Sequence, residues 1–366
     1  MVREFNESIK MSHVPTGWLH SYLRPLPKSG KDPTLLSSYR VITLQNVYGK
    51  LLEKMVARQV MSHLESANIL PDTLSGYRPM RETWSNAAAF AYDVYEGFQA
   101  KQETVAVTVD LEVAYNRVDF ATLISCLLDC GVNPWLVNWI AADLMERTVA
   151  FRLGSWASEP IQICPGLPQG SPLSPVLFNI YTAKVAKIQP LGLGRTLSFA
   201  DDILTYRTGS DRQKLVDDIQ QTLNEISQWC NETDSRVNPE KACVMWCSLN
   251  NKIARTDLPT LTLNGQNIER RDRLKYLGVT FDRSLSYMYH VEHMVQKCKR
   301  GLAFLKTMAA THLEQRLLFL IYYQVVLSVI EYGLGILTLS RSQRERLERI
   351  QNEGMRIVLG CTRVKG

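Results

Sequence analysis

Three aspartates are the residues of this chain best suited to chemistry. Two of them, Asp201 and Asp202, are adjacent and sit between residues 195–200 and 203–207. Both flanks alternate apolar and polar side chains and are rich in Thr, Ile, Leu and aromatics, the pattern of two short strands joined at a turn. Adjacent carboxylates repel each other and resist burial unless a divalent cation neutralises them. A lone Asp-Asp is more often a solvated turn, since Asp makes local hydrogen bonds there. The third aspartate shifts the balance. Asp110 closes the run Thr104-Val105-Ala106-Val107-Thr108-Val109, a candidate buried strand. Three carboxylates at the ends of neighbouring strands can hold two Mg²⁺ ions, with Mn²⁺ as a substitute, for an in-line displacement at phosphorus.

Other residues could serve such a centre, and each has a plainer reading. Lys28, Lys31 and Arg40 lie near the ends of extended segments, where cations can clamp a triphosphate, although basic residues in loops alone prove little. Tyr115, five residues past Asp110, can pack under a sugar and exclude a 2′-hydroxyl, or simply fill the core. The stretch Gly166-Leu167-Pro168-Gln169-Gly170-Ser171-Pro172-Leu173-Ser174-Pro175 turns directly into a helical run. Its glycines permit a close backbone approach, Gln169 offers donors and acceptors, and a loop opening onto a helix N-terminus suits a nucleotide or template phosphate. Lys241, in the turn Asn238-Pro239-Glu240-Lys241, can protonate a leaving pyrophosphate or be an ordinary surface lysine.

The elements that must position these residues follow from periodicity and punctuation. Helices are expected over 46–66 (capped by Asn46), 83–99, 120–130, 134–146, 176–188 and 211–230. Trp84, Ala88, Tyr92 and Tyr95 share one side of the second. Strands are expected over 38–44, 148–153, 161–164 and 242–247, and 274–281 reads as a single strand with a glycine kink. From Tyr289 onward the chain is helical and basic. Residues 286–366 hold 12 Lys and Arg against 6 Asp and Glu, while the remainder is balanced at 30 each, so the whole excess of +6 lies in the tail. Such a region suits phosphates, with a solvated helix face as the competing reading.

A length of 366 residues with 45% hydrophobic and 21% charged side chains excludes a disordered chain and allows two or three domains. The eight cysteines lack framework spacing, which favours reduced thiols inside a cell. Cys126 and Cys130 are one helical turn apart on an expected packed face. His290, His293 and Cys298 could face one another around zinc, but a fourth ligand is lacking. Residues 317–339 are nearly all apolar and long enough for a bilayer. Gln324, Ser328 and Glu331 interrupt them, Gly333 and Gly335 follow, and arginines flank both sides. A buried helix ending near Gly333 is therefore expected, with no membrane partner.

Taken in order, Tyr39-Arg40-Val41-Ile42, Asp110-Leu111 with Ala114-Tyr115, the Gly166 to Pro175 stretch, Phe199-Ala200-Asp201-Asp202, Asn238-Pro239-Glu240-Lys241 and Tyr276-Leu277-Gly278 resemble the reverse transcriptase domain of non-LTR (LINE-type) retrotransposons, of the jockey or R1 kind. Glu331-Tyr332-Gly333 and Ile350-Gln351-Asn352 extend the likeness into the tail. Single pieces are weak; the Pro-Gln-Gly and Ala-Asp-Asp pieces are fairly specific, and all six in order are a strong signal. The departures are Val41, where proline is usual, and Asn116, where many relatives carry aspartate.

The resemblance implies an α+β right-hand polymerase: a fingers region over 1–100, a palm built on an antiparallel sheet with inserted fingers elements over 101–270, a primer-grip strand over 271–285 and a basic helical thumb over 286–366. It implies an RNA-directed DNA polymerase that extends a DNA primer on an RNA template with dNTPs. Asp110, Asp201 and Asp202 would be the metal-holding carboxylates and Tyr115 the sugar gate. Gln169 and Gly170 would contact nucleotide or template, and Lys28 or Lys31 with Arg40 would hold the triphosphate. Lys241 would sit near the pyrophosphate, and Tyr276, Leu277 and Gly278 would grip the primer. The Ala200 variant argues against a retroviral enzyme. With no endonuclease, ribonuclease H or Cys/His knuckle recognisable, the chain is expected to be a fragment of a larger polyprotein, acting in the nucleus. Two rivals stand beside it: a nucleic-acid-binding remnant without catalysis, and an intron-maturase-like splicing factor.

Overall fold

The computed structural model describes residues 1–112, 114–163, 165–250 and 258–361. Val113, Cys164 at the end of an expected strand, and the tail residues Arg363 and Lys365 lie outside them. The chain opens with α1 (Val2–Lys10) and α2 (Thr16–Leu19), then β1 (His20–Pro27) and β2 (Tyr39–Gln45). α3 (Val47–Ser66) follows at once because the Asn46 side chain accepts from the Tyr48 N–H at 2.8 Å and caps it. α4 (Thr83–Gln99) starts on a capping box between Glu82 and Ser85. Next come β3 (Glu103–Asp110), α5 (Phe120–Asp129), α6 (Pro134–Met145), β4 (Thr148–Leu153), β5 (Trp156–Ala157), β6 (Ile161–Gln162) and α7 (Ser174–Lys187). The hairpin β7 (Gly194–Phe199) and β8 (Asp202–Gly209) leads into α8 (Arg212–Glu232), capped by Asp211, and β9 (Cys243–Cys247). The short strands β10 (Thr262–Leu263), β11 (Gln266–Asn267) and β12 (Glu269–Arg270) precede β13 (Arg273–Tyr276) and β14 (Val279–Asp282). The tail holds α9 (Met288–Ala310), α10 (Gln315–Tyr322), α11 (Ser328–Glu331) and α12 (Arg341–Leu359).

The central sheet has the strand order β12-β9-β3-β8-β7, antiparallel except for the β12–β9 pair. β3 lies in its middle, covered on both faces. Val105, Val107 and Val109 pack with Ile219 and Leu223 of α8 and Leu177 of α7, whereas Ala106 packs with Phe90 and Val94 of α4. A strand buried on both faces has no polar side to show, which is why its sequence reads as a continuous β-branched run. On α4 the buried stripe is Ala87, Phe90, Ala91 and Val94, while Trp84 and Tyr92 face outward. A second sheet runs β2-β1-β4-β5, with β6 also on β4.

Three expectations need correction. Residues 274–281 are not one kinked strand but the hairpin β13–β14. Leu277 and Gly278 both take positive φ, 46° and 82°, the backbone of a two-residue hairpin turn. The segment from Gln315 to Ile336 is not a buried helix. It is long and apolar enough to cross a membrane, yet only 28% of its apolar window is buried. Leu318, Tyr322, Val326 and Ile330 pack against residues of α9 and α12, while Leu317, Phe319, Leu320 and Tyr323 are exposed. Composition counted the apolar side chains without revealing that one face alone finds partners. Finally, His290 and Cys298 are buried whereas His293 is exposed, so the three do not face one another.

Candidate active site

The β3–β8 register sets Asp110 directly opposite Asp202. Directly opposed residues of an antiparallel pair share a sheet face, with Cβ atoms about 4.5–5.5 Å apart. Asp201 precedes Asp202 in the two-residue connection from β7, and its carbonyl accepts from the Leu111 N–H at 3.4 Å. The carboxylates open onto solvent at the sheet end yet have lost part of their water. That loss, followed by repulsion from Asp201 and Asp110, pushes Asp202 up to about 6, with Lys241 opposing. Asp201 is raised by desolvation and by Asp110, against its own backbone hydrogen bond, Lys241 and Arg40.

Lys241 is delivered by a backbone contact. The Asn238 N–H donates to the Asp110 carbonyl at 2.9 Å, and the Asn238 turn closes through the Lys241 N–H at 3.2 Å. The ammonium then reaches Asp110 Oδ2 at 2.6 Å. It supplies one positive charge to three carboxylates, so crowded negative charge remains. Among the described residues no three His, Cys, Asp or Glu side chains are gathered as they stand into a metal-holding group. The donor set still fits a hard divalent cation. It offers oxygen ligands only, and the register sets Asp110 and Asp202 on one face of the sheet end with Asp201 next in the chain.

The turn carrying Asp201 is packed from behind. Ala200 is 4% exposed and takes a left-handed φ of 55°, which a bulky or β-branched residue would resist. Gly76 lies against it: a Cβ there would meet the Ala200 nitrogen at 2.8 Å. Asn179 of α7 holds this approach by donating to the Gly76 carbonyl at 2.6 Å, and the Tyr77 ring leans on Phe199. The sequence shows residues 74–79 only as a loop; Gly76 and Asn179 become functional candidates through the turn they support. The Gly76-Tyr77 pair was the available signal.

Tyr115 stacks on Phe178 of α7, centroids 4.6 Å apart and planes 13° apart. Burial first, then Tyr77 and the Asp201 charge, hold its phenol far above the usual range. Its carbonyl accepts from the Leu167 N–H at 2.7 Å, which ties it to the glycine-rich loop. In that loop the Gln169 carbonyl accepts from the Thr43 N–H at 2.7 Å, and its side chain reaches Asn116 Oδ1 at 3.4 Å. Gly170 has φ +118°, and a Cβ there would meet the Thr43 carbonyl at 2.8 Å. Both backbone contacts of this loop are thus with Thr43 of β2, the strand that also carries Arg40.

Asp110, Asp201, Asp202, Lys241, Arg40, Tyr115 and the Gln169 loop therefore belong to one region. Lys28 and Lys31 lie in the exposed loop between β1 and β2, where Lys28 Nζ donates to the Ser37 carbonyl at 2.9 Å. Among the described residues no hydrogen bond or ion pair joins either lysine to the carboxylates. Tyr276 is 3% exposed, and its hydroxyl accepts from the Asn86 amide at 3.3 Å, so it braces the core and does not face a groove. The turn at Leu277 and Gly278 is covered by Tyr332, whose hydroxyl donates to the Leu277 carbonyl at 2.6 Å.

A model of the reverse transcriptase (RNA-dependent DNA polymerase) family matches residues 26–281, well over half of the chain. The chain is similar to the probable RNA-directed DNA polymerase from transposon BS of Drosophila melanogaster, 24% identical over 98% of this chain and 40% of the relative. It matches the RNA-directed DNA polymerase from mobile element jockey of the same organism at 24% identity, over 98% of this chain and 39% of that one. The chain thus spans about 40% of the length of these relatives. Among solved structures, apo telomerase from Candida tropicalis superposes with a TM-score of 0.53 at 12% identity, covering 94% of this chain and 64% of that one. The same telomerase with a fragment of telomeric RNA gives 0.51 at 13% identity, over 94% and 59%. These likenesses are of fold alone, and they bear out the right-hand polymerase architecture.

Proposed function

The chain belongs to the reverse transcriptase (RNA-dependent DNA polymerase) family, and from that premise we propose that it is the polymerase portion of a non-LTR retrotransposon protein, copying an RNA template by extending a DNA primer with dNTPs, in the nucleus. The single observation that carries this reading is the register of Asp110 opposite Asp202, with Asp201 one residue away.

The family works with divalent metal ions, and Mg²⁺ is the ion proposed here, with Mn²⁺ able to replace it. Asp110, Asp201 and Asp202 would hold two such ions, whose chemistry is to lower the pKa of the primer 3′-hydroxyl and to neutralise charge growing on pyrophosphate. The protein's remaining task is positioning. Arg40 would face the triphosphate, since its charge already reaches Asp201. Lys241 would leave Asp110 as the cations bind and turn to the departing pyrophosphate. Tyr115, backed by Phe178, would meet the sugar at C2′, and the Gln169-Gly170 loop would meet the nucleotide or its template partner.

Primer extension on an RNA template tests the proposal. The chain with Mg²⁺ and dNTPs is expected to lengthen the primer. Asp201→Asn and Asp110→Asn are each expected to abolish lengthening while primer–template binding persists. Binding that weakens with salt but never gives extension would favour a non-catalytic remnant. Equal loss of binding and extension in both variants would contradict the assigned roles.

A further inference from the structure

The loop that ends in Ser171 is anchored from below by an acidic side chain that the polymerase reading leaves unused. Glu53, on α3, is 2% exposed. One of its oxygens accepts from the Gln45 amide, at the end of β2, and the other from the Ser171 hydroxyl. The Ser171 oxygen in turn accepts from the N–H groups of Leu173 and Ser174 at 3.0 and 3.3 Å, which caps the N-terminal turn of α7. Nearby fastenings act on the same loop. Arg147 donates to the Gly166 carbonyl at 3.0 Å, and the Ser174 hydroxyl to the Pro168 carbonyl at 2.9 Å.

Following these bonds outward leads to two candidate specificity groups. Along the loop, Gln169 is held with its carbonyl on Thr43. Along α7, Phe178 lies one turn past the capped end and carries the Tyr115 ring. Resting on the polymerase reading above, we propose that Glu53 is a positioning residue: through Ser171 it fixes both the Gln169 loop and the α7 platform under Tyr115, and so sets dNTP affinity and sugar selection without touching substrate.

The surroundings explain why a carboxyl group is tolerated there. Asp143 and Arg147, both buried, are the charged groups that face it. Burial, then Asp143, push Glu53 up to about 8, against Ser171, Arg147 and Gln45. At neutral pH the protonated acid can therefore also donate, and Gln45 Oε1 is buried without a partner. With the Gln45 amide turned over, that oxygen is the acceptor. A neutral amide in place of the acid can make the same pair of bonds, whereas a methyl group can make neither.

Two measurements on the full chain test this. In steady-state primer extension, Glu53→Ala is expected to raise the KM for dNTPs by about tenfold or more and to increase ribonucleotide incorporation, with primer–template affinity unchanged. Glu53→Gln is expected to restore both. Amide hydrogen exchange, which needs no activity, is expected to show lost protection at Leu173, Ser174 and Leu167 in Glu53→Ala and near-normal protection in Glu53→Gln. If Glu53→Ala does not fold, Ser171→Ala cuts the same link from the loop side and carries both predictions. Normal KM, sugar selection and exchange in either alanine variant would overturn the proposal, as would a glutamine variant as defective as the alanine one. Failure of the unmutated chain to extend primers would instead count against the polymerase reading, and the exchange result would still decide the anchoring.

Discussion

Tyr115 makes a sharp claim about a single side chain. Its ring lies flat on Phe178 and close enough to Asp201 to feel its charge. In the proposed role of sugar gate a ring fixed there would exclude a 2′-hydroxyl by bulk, so Tyr115→Ala is expected to raise ribonucleotide use by about tenfold or more, read from competing incorporation of the two sugars. Unchanged selectivity would mean that the ring is core packing and no more. Asp110, Asp201, Asp202 and Tyr115 could be singled out in the chain by residue type and by the strands around them, and the structure brings them into one region. The Lys241–Asp110 ion pair was not, since its partners are brought together by a backbone bond between distant turns. Tyr276 misled for the opposite reason. Its place in a motif says nothing about which way the ring points, and it points into the core.

Among the elements, the loop at Gly76 and the helix carrying Glu53 make the next predictions. Gly76 has no positive φ to protect, so the effect of a side chain is purely steric, against backbone that cannot yield. Gly76→Ala is expected to shift the turn at Ala200 and Asp201 and to lower extension on the order of a hundredfold. Destabilisation should stay within about 1–3 kcal/mol, measured by denaturant unfolding. Full activity would show that the turn is not held by this contact. Glu53 supplies a pH dependence. Its pKa rises from 4.5 when unfolded to about 8 when folded, so its contribution is complete below 4.5 and is lost as pH rises through 8. Asp143, raised to about 6 by burial, acts the same way at lower pH. Between pH 6 and 8 the melting temperature should therefore fall, and Glu53→Gln should flatten that fall; an identical slope in both proteins would refute it. Most helices and the strands around Asp110 and Asp201 could be read from period and caps. The β13–β14 hairpin could not, because one glycine after a leucine reads as a kink until Leu277 is seen in the left-handed region.

At the scale of the whole molecule, charge and convergence remain. The basic excess of the tail is partly consumed internally: Lys306 pairs with Glu353, Arg341 with Glu345 and Arg346 with Glu292. Lys297, Lys299 and Arg300 are exposed on α9. If they meet phosphates, replacing all three by glutamine should lower the steepness of the logarithmic salt dependence of primer–template binding by about 2–3, at about 0.7–0.9 per contact. An unchanged slope would mark them as a solvated face. The tail's charge was visible in composition, but its ion pairs and the exposed apolar face of α10 arise only once helices pack. Convergence of the carboxylates is the property on which the enzyme reading depends, and it requires β3, β7 and β8 in register at once. The most direct measurement is Mn²⁺ binding to the full chain with primer–template and a non-extendable primer end, followed by electron paramagnetic resonance with and without dNTP. Convergence predicts tight, dNTP-dependent Mn²⁺ uptake that is lost in Asp110→Asn and in Asp201→Asn while nucleic-acid binding stays intact. Uptake unaltered by both substitutions would contradict it.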